Sequence, residues 1–192
     1  MQNEGSMLQE DMDMQDILNQ LCKKIDGEAK RILSVINTGS DFSSDVFDSP
    51  VVIETWSDSQ RALWGKQGIY VFMVRDAVTL KYEQVLVWNE TLEGAKFRKY
   101  QDTPINDGDC LYLGSCVNKS LYSRVKEHFS ANGSYKALKL SHPARNILLG
   151  TVYCIAFPIR RSYTEGQYRI LLPALEKRLH DDLLPLCGSS RV

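Results

Sequence analysis

The sequence lacks the paired cysteines, long apolar runs and signal sequence that are typical of secreted, membrane-spanning or zinc-binding proteins. Its 192 residues include five cysteines, an odd number at wide spacing with no C-x-x-C pair, which argues against a disulfide framework or a structural zinc site. No apolar run approaches the roughly 20 residues that a membrane-spanning helix needs. The N-terminal stretch MQNEGSMLQEDMDMQD is acidic and polar, so it does not resemble a secretory signal. We therefore expect an intracellular, cytoplasmic protein with free thiols and no membrane contact.

Net charge is also small, at -1, but the charges are distributed unevenly along the chain. Residues 1–60 hold 12 Asp and Glu against 4 Lys and Arg, whereas residues 110–192 hold 12 Lys and Arg against 5 Asp and Glu. Two interpretations stay open for this asymmetry. It is either ordinary solvated surface charge, or a basic C-terminal half that meets a phosphate backbone behind an acidic N-terminal arm.

The chain divides into an acidic N-terminal part, residues 1–50, and a main domain, residues 51–192. Apolar residues three, four or seven apart predict a long helix over 8–36. We expect the apolar stripe of this helix either to pack on its own domain or to pair with a second copy in a homodimer. A segment rich in Ser, Asp and Gly, 37–50, predicts a linker.

The pattern of apolar and turn residues in the main domain predicts alternating strands and helices. We expect strands at 51–54, 68–75, 82–88, 110–114 and 150–158, helices at 120–129 and 171–184, and a loop at 89–109. Ser120 is expected to cap the first of these helices, and Pro173 to lie in the first turn of the second. This order predicts an α/β fold of the α+β type, with a small, largely antiparallel central sheet flanked by helices.

Five short motifs contain the residues with chemical potential. Gly68-Ile69-Tyr70 and Tyr112-Leu113-Gly114 are apolar, strand-like triplets that each contain a tyrosine. Arg124 and His128 are four residues apart, which places them on one face of a helix. Glu176 lies in the apolar stripe of the last predicted helix, where a lone carboxylate is costly unless it is paired or binds a cation. Two phenols, a guanidinium, an imidazole and a carboxylate are an unusual set for a packing core.

In these motifs the chain resembles the GIY-YIG nuclease family over roughly residues 66–188. The first triplet matches literally, and the second has Leu113 where the family has Ile. The family usually joins the two triplets by a short hairpin, but here 41 residues, 71–111, separate them. We interpret residues 76–109 as an insertion in the nuclease-like domain. Cys187 stands where the family often has Asn.

The resemblance implies a metal-dependent DNA endonuclease, of the compact stand-alone type found among restriction and mobile-element enzymes. It implies that Glu176 binds Mg²⁺ or another divalent cation and that Arg124 stabilises the negative charge of the transition state. Tyr70 would position or deprotonate the attacking water, with a pKa lowered by Arg124 and the metal. Tyr112 would orient the phosphate or the nucleophile, and His128 would relay the proton.

Basic residues outside this set are candidate DNA contacts, chosen by charge and position alone: Lys119, Lys126, Lys136, Lys139, Arg145, Arg160 and Arg161. DNA and RNA are both compatible with such contacts. One alternative function is a non-catalytic nucleic-acid-binding or regulatory module that retains the nuclease fold, which the small net charge and Cys187 motivate. Another is a protein-interaction role for the N-terminal helix.

Overall fold

The computed structural model describes residues 14–57 and 60–188. The helices of these residues are α1 (Met14–Thr38), α2 (Tyr82–Thr91), α3 (Leu121–Phe129) and α4 (Glu165–Leu183). The strands are β1 (Val51–Ile53), β2 (Gly68–Val74), β3 (Val78–Leu80), β4 (Thr103–Ile105), β5 (Cys110–Cys116) and β6 (Val152–Pro158). Residues 8–13 of the helix predicted over 8–36 lie outside the described part of the chain.

Four strands form one sheet in the spatial order β1-β6-β2-β5, and β3 and β4 form a separate pair. Every one of these strand pairings is antiparallel. The predicted fold class is therefore confirmed: a mixed α/β fold with a small antiparallel sheet flanked by helices. Among the described helices, none has the length and apolar character needed to cross a bilayer.

The central strand β2 is buried at all seven of its residues. Tyr70 and Phe72 belong to the core layer that includes α3, whereas Ile69 and Val71 belong to the layer under α1 and α4. Successive side chains of a strand point to opposite faces. A strand without an exposed residue therefore needs cover on both faces, which explains why this segment is apolar throughout.

Helix α1 packs on its own domain through one apolar face. Ala29 and Ile32 are buried in the core layer that α4 also lines, with Leu21 and Ile25 packed against it. Nearer its first turn, the helix exposes apolar side chains: Met14, Ile17 and Leu18. The homodimer through residues 8–36 stays a prediction, for which this exposed end is the available apolar surface.

A buried carboxylate ties α1 to the segment predicted as a linker. Glu28 is only 1% exposed and accepts hydrogen bonds from Arg31 and from Ser44, the latter at 2.6 Å. The Ser44 hydroxyl in turn accepts the backbone N–H groups of Val46 and Phe47, at 2.9 and 3.0 Å. Val46 and Phe47 are buried, so part of the predicted linker is packed structure. The domain boundary near residue 51 stays a prediction.

The strand predicted over Tyr82–Trp88 is wrong, because these residues form α2. Its β-branched and aromatic residues favoured a strand, but the buried side chains are Val85, Trp88 and Asn89, which share one helical face. Gln84 accepts the Lys81 N–H at 2.8 Å and helps to start the helix. The loop predicted over 89–109 also contains β4, which pairs with β3. Tertiary burial outweighed the local β-propensity here.

The start of the last helix was predicted six residues too late. Helix α4 begins at Glu165, where Thr164 and Gln167 form a capping box. Pro173 consequently lies in the helix interior rather than in the first turn. An interior proline costs about 3 kcal/mol. The buried leucine stripe along α4 offsets that cost: Leu171, Leu172, Leu175 and Leu179.

Candidate active site

The two tyrosines of the triplets lie side by side on neighbouring strands. In the β2–β5 register Tyr70 is opposite Gly114 and Tyr112 is opposite Phe72. The phenol rings stack with centroids 6.1 Å apart and an angle of 15° between the rings. A Cβ atom at Gly114 would lie 2.6 Å from Tyr70 Cζ and 3.2 Å from Tyr112 Cε1. The glycine that ends the second triplet is therefore required for both rings to occupy this site.

Helix α3 brings Arg124 and His128 to the Tyr70 hydroxyl. Ser120 caps the helix by accepting the Ser123 N–H at 3.2 Å, as predicted. Arg124 and His128 lie one turn apart on this helix. Arg124 Nε–H donates to Tyr70 Oη at 3.1 Å, and His128 Nε2 lies 3.2 Å from the same oxygen. The predicted i, i+4 pair therefore converges on a single atom.

The hydrogen bonds of His128 assign its tautomer. Its Nδ1 accepts the backbone N–H of Leu138 at 3.0 Å, so the proton of the neutral ring is on Nε2 and is donated to Tyr70 Oη. Tyr70 Oη then accepts two hydrogen bonds, one from His128 and one from Arg124. Its own proton is therefore left to be donated to a further acceptor.

Burial dominates the pKa of both phenols. Desolvation raises the pKa of Tyr70 well above its usual value, and the neighbouring Tyr112 and Cys116 raise it further, against the opposing effect of Arg124. Desolvation likewise raises the pKa of Tyr112 despite its hydrogen bonds. Arg124 lowers the Tyr70 pKa as expected, but burial outweighs this effect, so the pKa is raised overall. Both phenols are neutral at physiological pH, and both lone pairs of Tyr70 are engaged.

His128 is fully buried, and desolvation together with nearby Arg124 lowers its pKa well below 6.5. With one ring nitrogen accepting and the other donating, the imidazole orients Tyr70. Because no part of the ring is exposed, it cannot take a proton directly from solvent water. Its expected role as a proton relay is limited to this contact with the phenol.

The low pKa of His128 predicts an acid-dependent loss of stability. Below about pH 6.5 the unfolded chain binds a proton at this residue that the folded chain excludes. The free energy of unfolding should therefore fall as the pH drops from 6.5 towards the folded-state pKa, by up to about 1.4 kcal/mol per pH unit. Urea denaturation at a series of pH values measures this slope.

His128→Gln keeps one acceptor and one donor but does not titrate, so its slope should be flatter than that of the wild type. His180, whose pKa is lowered by partial burial and by Arg98, is the matched control. His180→Gln should retain the part of the slope that comes from His128. An unchanged acid slope in His128→Gln would contradict the assignment.

Arg124 has most of its donors engaged within the protein. Beyond Tyr70, its guanidinium donates to Glu127 at 2.7 Å, to Ser134, and to the Lys136 carbonyl at 3.1 Å. Its side chain is 12% exposed. The cation is thereby held rigidly at the edge of the site, with part of its charge balanced by the Glu127 carboxylate.

Glu127 is a member of this cluster that the sequence reasoning missed. It also pairs with Lys119 at 2.6 Å. Partial desolvation tends to raise its pKa, but hydrogen bonds from Lys119, Arg124 and Ser134 outweigh that effect and lower it. The three-residue spacing from Arg124, which places both residues on one helix face, was the available signal.

Glu176 reaches the same site from α4, on the other side of β5. It is half-buried beside the leucine stripe, and the Ser115 hydroxyl donates to its Oε2. Ser115 lies one residue beyond the second triplet. Its alternation on β5 points it away from the tyrosine face and towards α4, which no motif predicted.

An open groove of about 450 Å³ joins these residues. Tyr70, Tyr112, Arg124 and Glu176 all line it, and His128 lies directly behind Tyr70. Four of the five predicted residues therefore share one cavity, and the fifth supports it. The basic residues that line the same groove are Lys119 and Lys136.

A second cavity adjoins this groove and shares Tyr112, Lys136 and Glu176 with it. His180, one turn after Glu176, lines this cavity, and its Nε2 lies 2.8 Å from the Arg98 guanidinium. Since arginine can only donate, that nitrogen is the acceptor. Arg98 belongs to residues 76–109, so the interpreted insertion contacts the helix of Glu176.

Only one carboxylate, Glu176, faces the groove among the residues that line it. Within residues 14–57 and 60–188, no cluster of three or more His, Cys, Asp and Glu side chains has the arrangement of a metal site. This donor set does not suit Zn²⁺, which takes three or four protein ligands. It fits Mg²⁺, which keeps several waters and binds through one or two carboxylates and substrate phosphate oxygens.

The prediction that Arg145 contacts DNA is wrong, because this residue is completely buried. Its guanidinium stacks on the Trp88 ring at 4.9 Å and donates to four backbone carbonyls. These are the oxygens of Trp88 at 3.0 Å, Leu92 at 3.1 Å, Leu138 at 3.0 Å and Ala137 at 3.4 Å. Desolvation lowers its pKa. Arg145 joins α2 to the loop after α3 and cannot reach a nucleic acid.

The other candidate contacts lie at or near the surface, in two groups. Lys126 and Lys139 lie on α3 and in the loop that follows it, the same region as Lys119 and Lys136. Arg160 and Arg161 lie in a separate concave surface at the end of β6.

Cys187 is part of the core rather than of the groove wall facing Arg124. It is 1% exposed, and its backbone N–H donates to the Leu111 carbonyl at 2.8 Å. It also bridges to Phe97, so the segment around residue 187 lies between β5 and the interpreted insertion. Burial raises the pKa of its thiol far above its usual value.

Comparisons with protein-family models, with curated proteins and with solved structures return no match for this chain. Function is therefore argued from the geometry of the groove and from the chemistry of the residues that line it.

Proposed function

We propose that the protein is a metal-dependent endonuclease that hydrolyses DNA phosphodiester bonds at a GIY-YIG-type site. The observation that supports this most is the meeting of Tyr70, Tyr112, Arg124 and Glu176 around one groove, with His128 behind. They come from two strands and two helices that are widely separated in sequence. Polar groups of complementary roles that converge on one open groove are typical of an active site.

The groove is suited to a phosphate group. Lys119, Arg124 and Lys136 supply positive charge around it. Tyr112 lines the groove beside Tyr70 and Arg124, where its hydroxyl can donate to a phosphate oxygen. Next to it, the hydrogen bonds from His128 and Arg124 polarise the Tyr70 hydroxyl. Donors aligned in this way stabilise the transition state more than the ground state, because negative charge on the phosphate oxygens increases there.

Glu176 is the residue that would hold the divalent cation. When bound there, Mg²⁺ would neutralise charge on the phosphate and lower the pKa of a coordinated water. Ser115 holds one carboxylate oxygen in a fixed orientation, which leaves the other directed to ligands in the groove. The neutral Tyr70 and Tyr112 act as oriented donors in this mechanism rather than as a general base.

A second candidate function is a nucleic-acid-binding module without catalytic activity. The specific observation in its favour is that Glu127, Ser134 and the Lys136 carbonyl engage the Arg124 guanidinium. In that case Arg124 would be a structural residue, and the groove would bind phosphate without cleaving it.

Incubation with supercoiled plasmid separates the two candidates. An endonuclease converts the plasmid to nicked or linear DNA in the presence of Mg²⁺ and stops when EDTA removes the metal. Retained DNA binding without any cleavage in Mg²⁺ or Mn²⁺ would contradict the endonuclease proposal and favour the binding module.

A further inference from the structure

A second concave surface lies at the end of the sheet where β2 begins and β6 ends. We call it the aromatic–basic surface; its residues are Trp64, Lys66, Arg160, Arg161, Tyr163 and Tyr168. They come from the turn before β2 and from the segment between β6 and the first turn of α4. Because β2 and β6 are antiparallel, the start of one and the end of the other lie side by side.

Trp64 is held in place but is 55% exposed. Its indole contacts the Tyr122 ring at 5.3 Å and 83°, and Tyr122 in turn contacts Trp56 at 4.9 Å. This nearly perpendicular contact engages only part of the indole. A large aromatic ring that is fixed by its neighbours and open to solvent is suited to stacking with a flat ligand.

The charge around Trp64 is predominantly positive. Arg160 Nε–H donates to the Phe47 carbonyl at 3.1 Å, which fixes the base of its guanidinium, and Arg161 is exposed. Lys66 pairs with Asp48 at 2.5 Å, which neutralises one of the three cations. Arginines beside an exposed indole match a polymer that has both phosphates and flat bases. An acidic peptide would match the arginines but not the indole.

The aromatic–basic surface lies close to the candidate active site along β2. Lys66 precedes Tyr70 by four residues, a span of at most about 14 Å of extended chain. An unpaired strand covers that length in a few nucleotides. The Lys66 carbonyl also accepts the Leu121 N–H at 2.7 Å, which fixes this turn against α3. One nucleic-acid strand can therefore contact both places.

We propose that the aromatic–basic surface binds an unpaired segment of the DNA substrate, within a few nucleotides of the bond cut in the groove. One base stacks on Trp64, and the adjoining phosphates bind Arg160 and Arg161. The base must be unpaired because bases within a duplex already stack on both faces. This inference rests on the proposed function and deepens it, since it names a substrate with a single-stranded segment beside the cut.

Fluorescence polarisation of two labelled probes tests the proposal, with the full chain carrying Glu176→Gln to prevent cleavage. One probe is a fully paired duplex, and the other is the same duplex with a single-stranded tail. Trp64→Ala should weaken binding of the tailed probe by about 5- to 150-fold, the range expected for one stacked base. It should leave the fully paired probe unchanged.

Tyr100→Ala removes an aromatic ring of similar exposure, 51%, from the interpreted insertion and should change neither affinity. Trp64→Phe keeps a stacking face and should restore most of the tail-dependent affinity, which separates stacking from a folding defect. Arg161→Ala should lower the dependence of log affinity on log salt concentration by about one unit, whereas Lys30→Ala on α1 should not.

Equal effects of Trp64→Ala on both probes, or no effect on either, would overturn the proposal. The proposed function would still stand if the wild-type protein cuts plasmid in Mg²⁺. Tail-dependent binding through Trp64 without any cleavage would have the opposite meaning. It would support this surface while contradicting the endonuclease.

Discussion

Glu176→Gln is expected to reduce Mg²⁺-dependent DNA cleavage by about 10³-fold while the protein stays folded. Glutamine has the same size and can still accept the Ser115 hydroxyl bond, so the packing of α4 is preserved. The amide lacks the charge that would hold a divalent cation. Loss of several kcal/mol of charge stabilisation, at about 1.36 kcal/mol per tenfold in rate, corresponds to this reduction.

The measurement is the single-turnover rate of plasmid nicking at saturating protein, with thermal unfolding of the same samples as the test of folding. Glu90→Gln is the matched control, because it changes an exposed carboxylate on α2 that lies outside the groove. It should cut at the wild-type rate. Cleavage by Glu176→Gln at a rate near that of the wild type would contradict the metal-holding role.

Arg145→Lys is expected to lower the free energy of unfolding by about 3 kcal/mol, although it keeps the positive charge. Lysine cannot reproduce the planar fork that donates to four carbonyls and stacks on Trp88. A buried carbonyl left without a donor costs roughly 1–3 kcal/mol. A residue that bound DNA phosphates from the surface would tolerate lysine with little change in stability.

Urea denaturation of the folded protein measures this difference. Arg161→Lys is the matched control, since Arg161 is exposed and should change the unfolding midpoint very little. An Arg145→Lys variant as stable as the wild type, with weakened DNA binding, would restore Arg145 to the nucleic-acid contacts and contradict its buried position.

Strands β1, β2, β5 and β6 and helix α3 were predictable because their local patterns agree with their place in the fold. The apolar segment of β2 needs cover on both faces, and burial under α3 on one side and α1 and α4 on the other supplies it. Ser120 caps α3 through a bond within one turn of chain. Arg124 and His128 face the same way because helical geometry alone places residues four apart together.

The elements that were predicted wrongly are those where distant contacts outweigh local preference. The residues of α2 include β-branched and aromatic side chains typical of a strand, but Val85 and Trp88 are buried on one helical face against the core. Pro173 would ordinarily end or begin a helix. In α4 the capping box at Thr164 starts the helix six residues earlier than predicted, and buried leucines on either side of the proline keep it continuous.

The site residues belong to short local motifs with a recognisable order. The sequence alone was therefore enough to name Tyr70, Tyr112, Arg124, His128 and Glu176. Which of their hydrogen-bonding groups remain available was decided only by the tertiary structure. Burial raises the Tyr70 pKa, Glu127 shares the Arg124 charge, and Arg145 is enclosed by four carbonyls. Desolvation and hydrogen-bond partners depend on elements that meet only when the chain is packed, and no local pattern contains them.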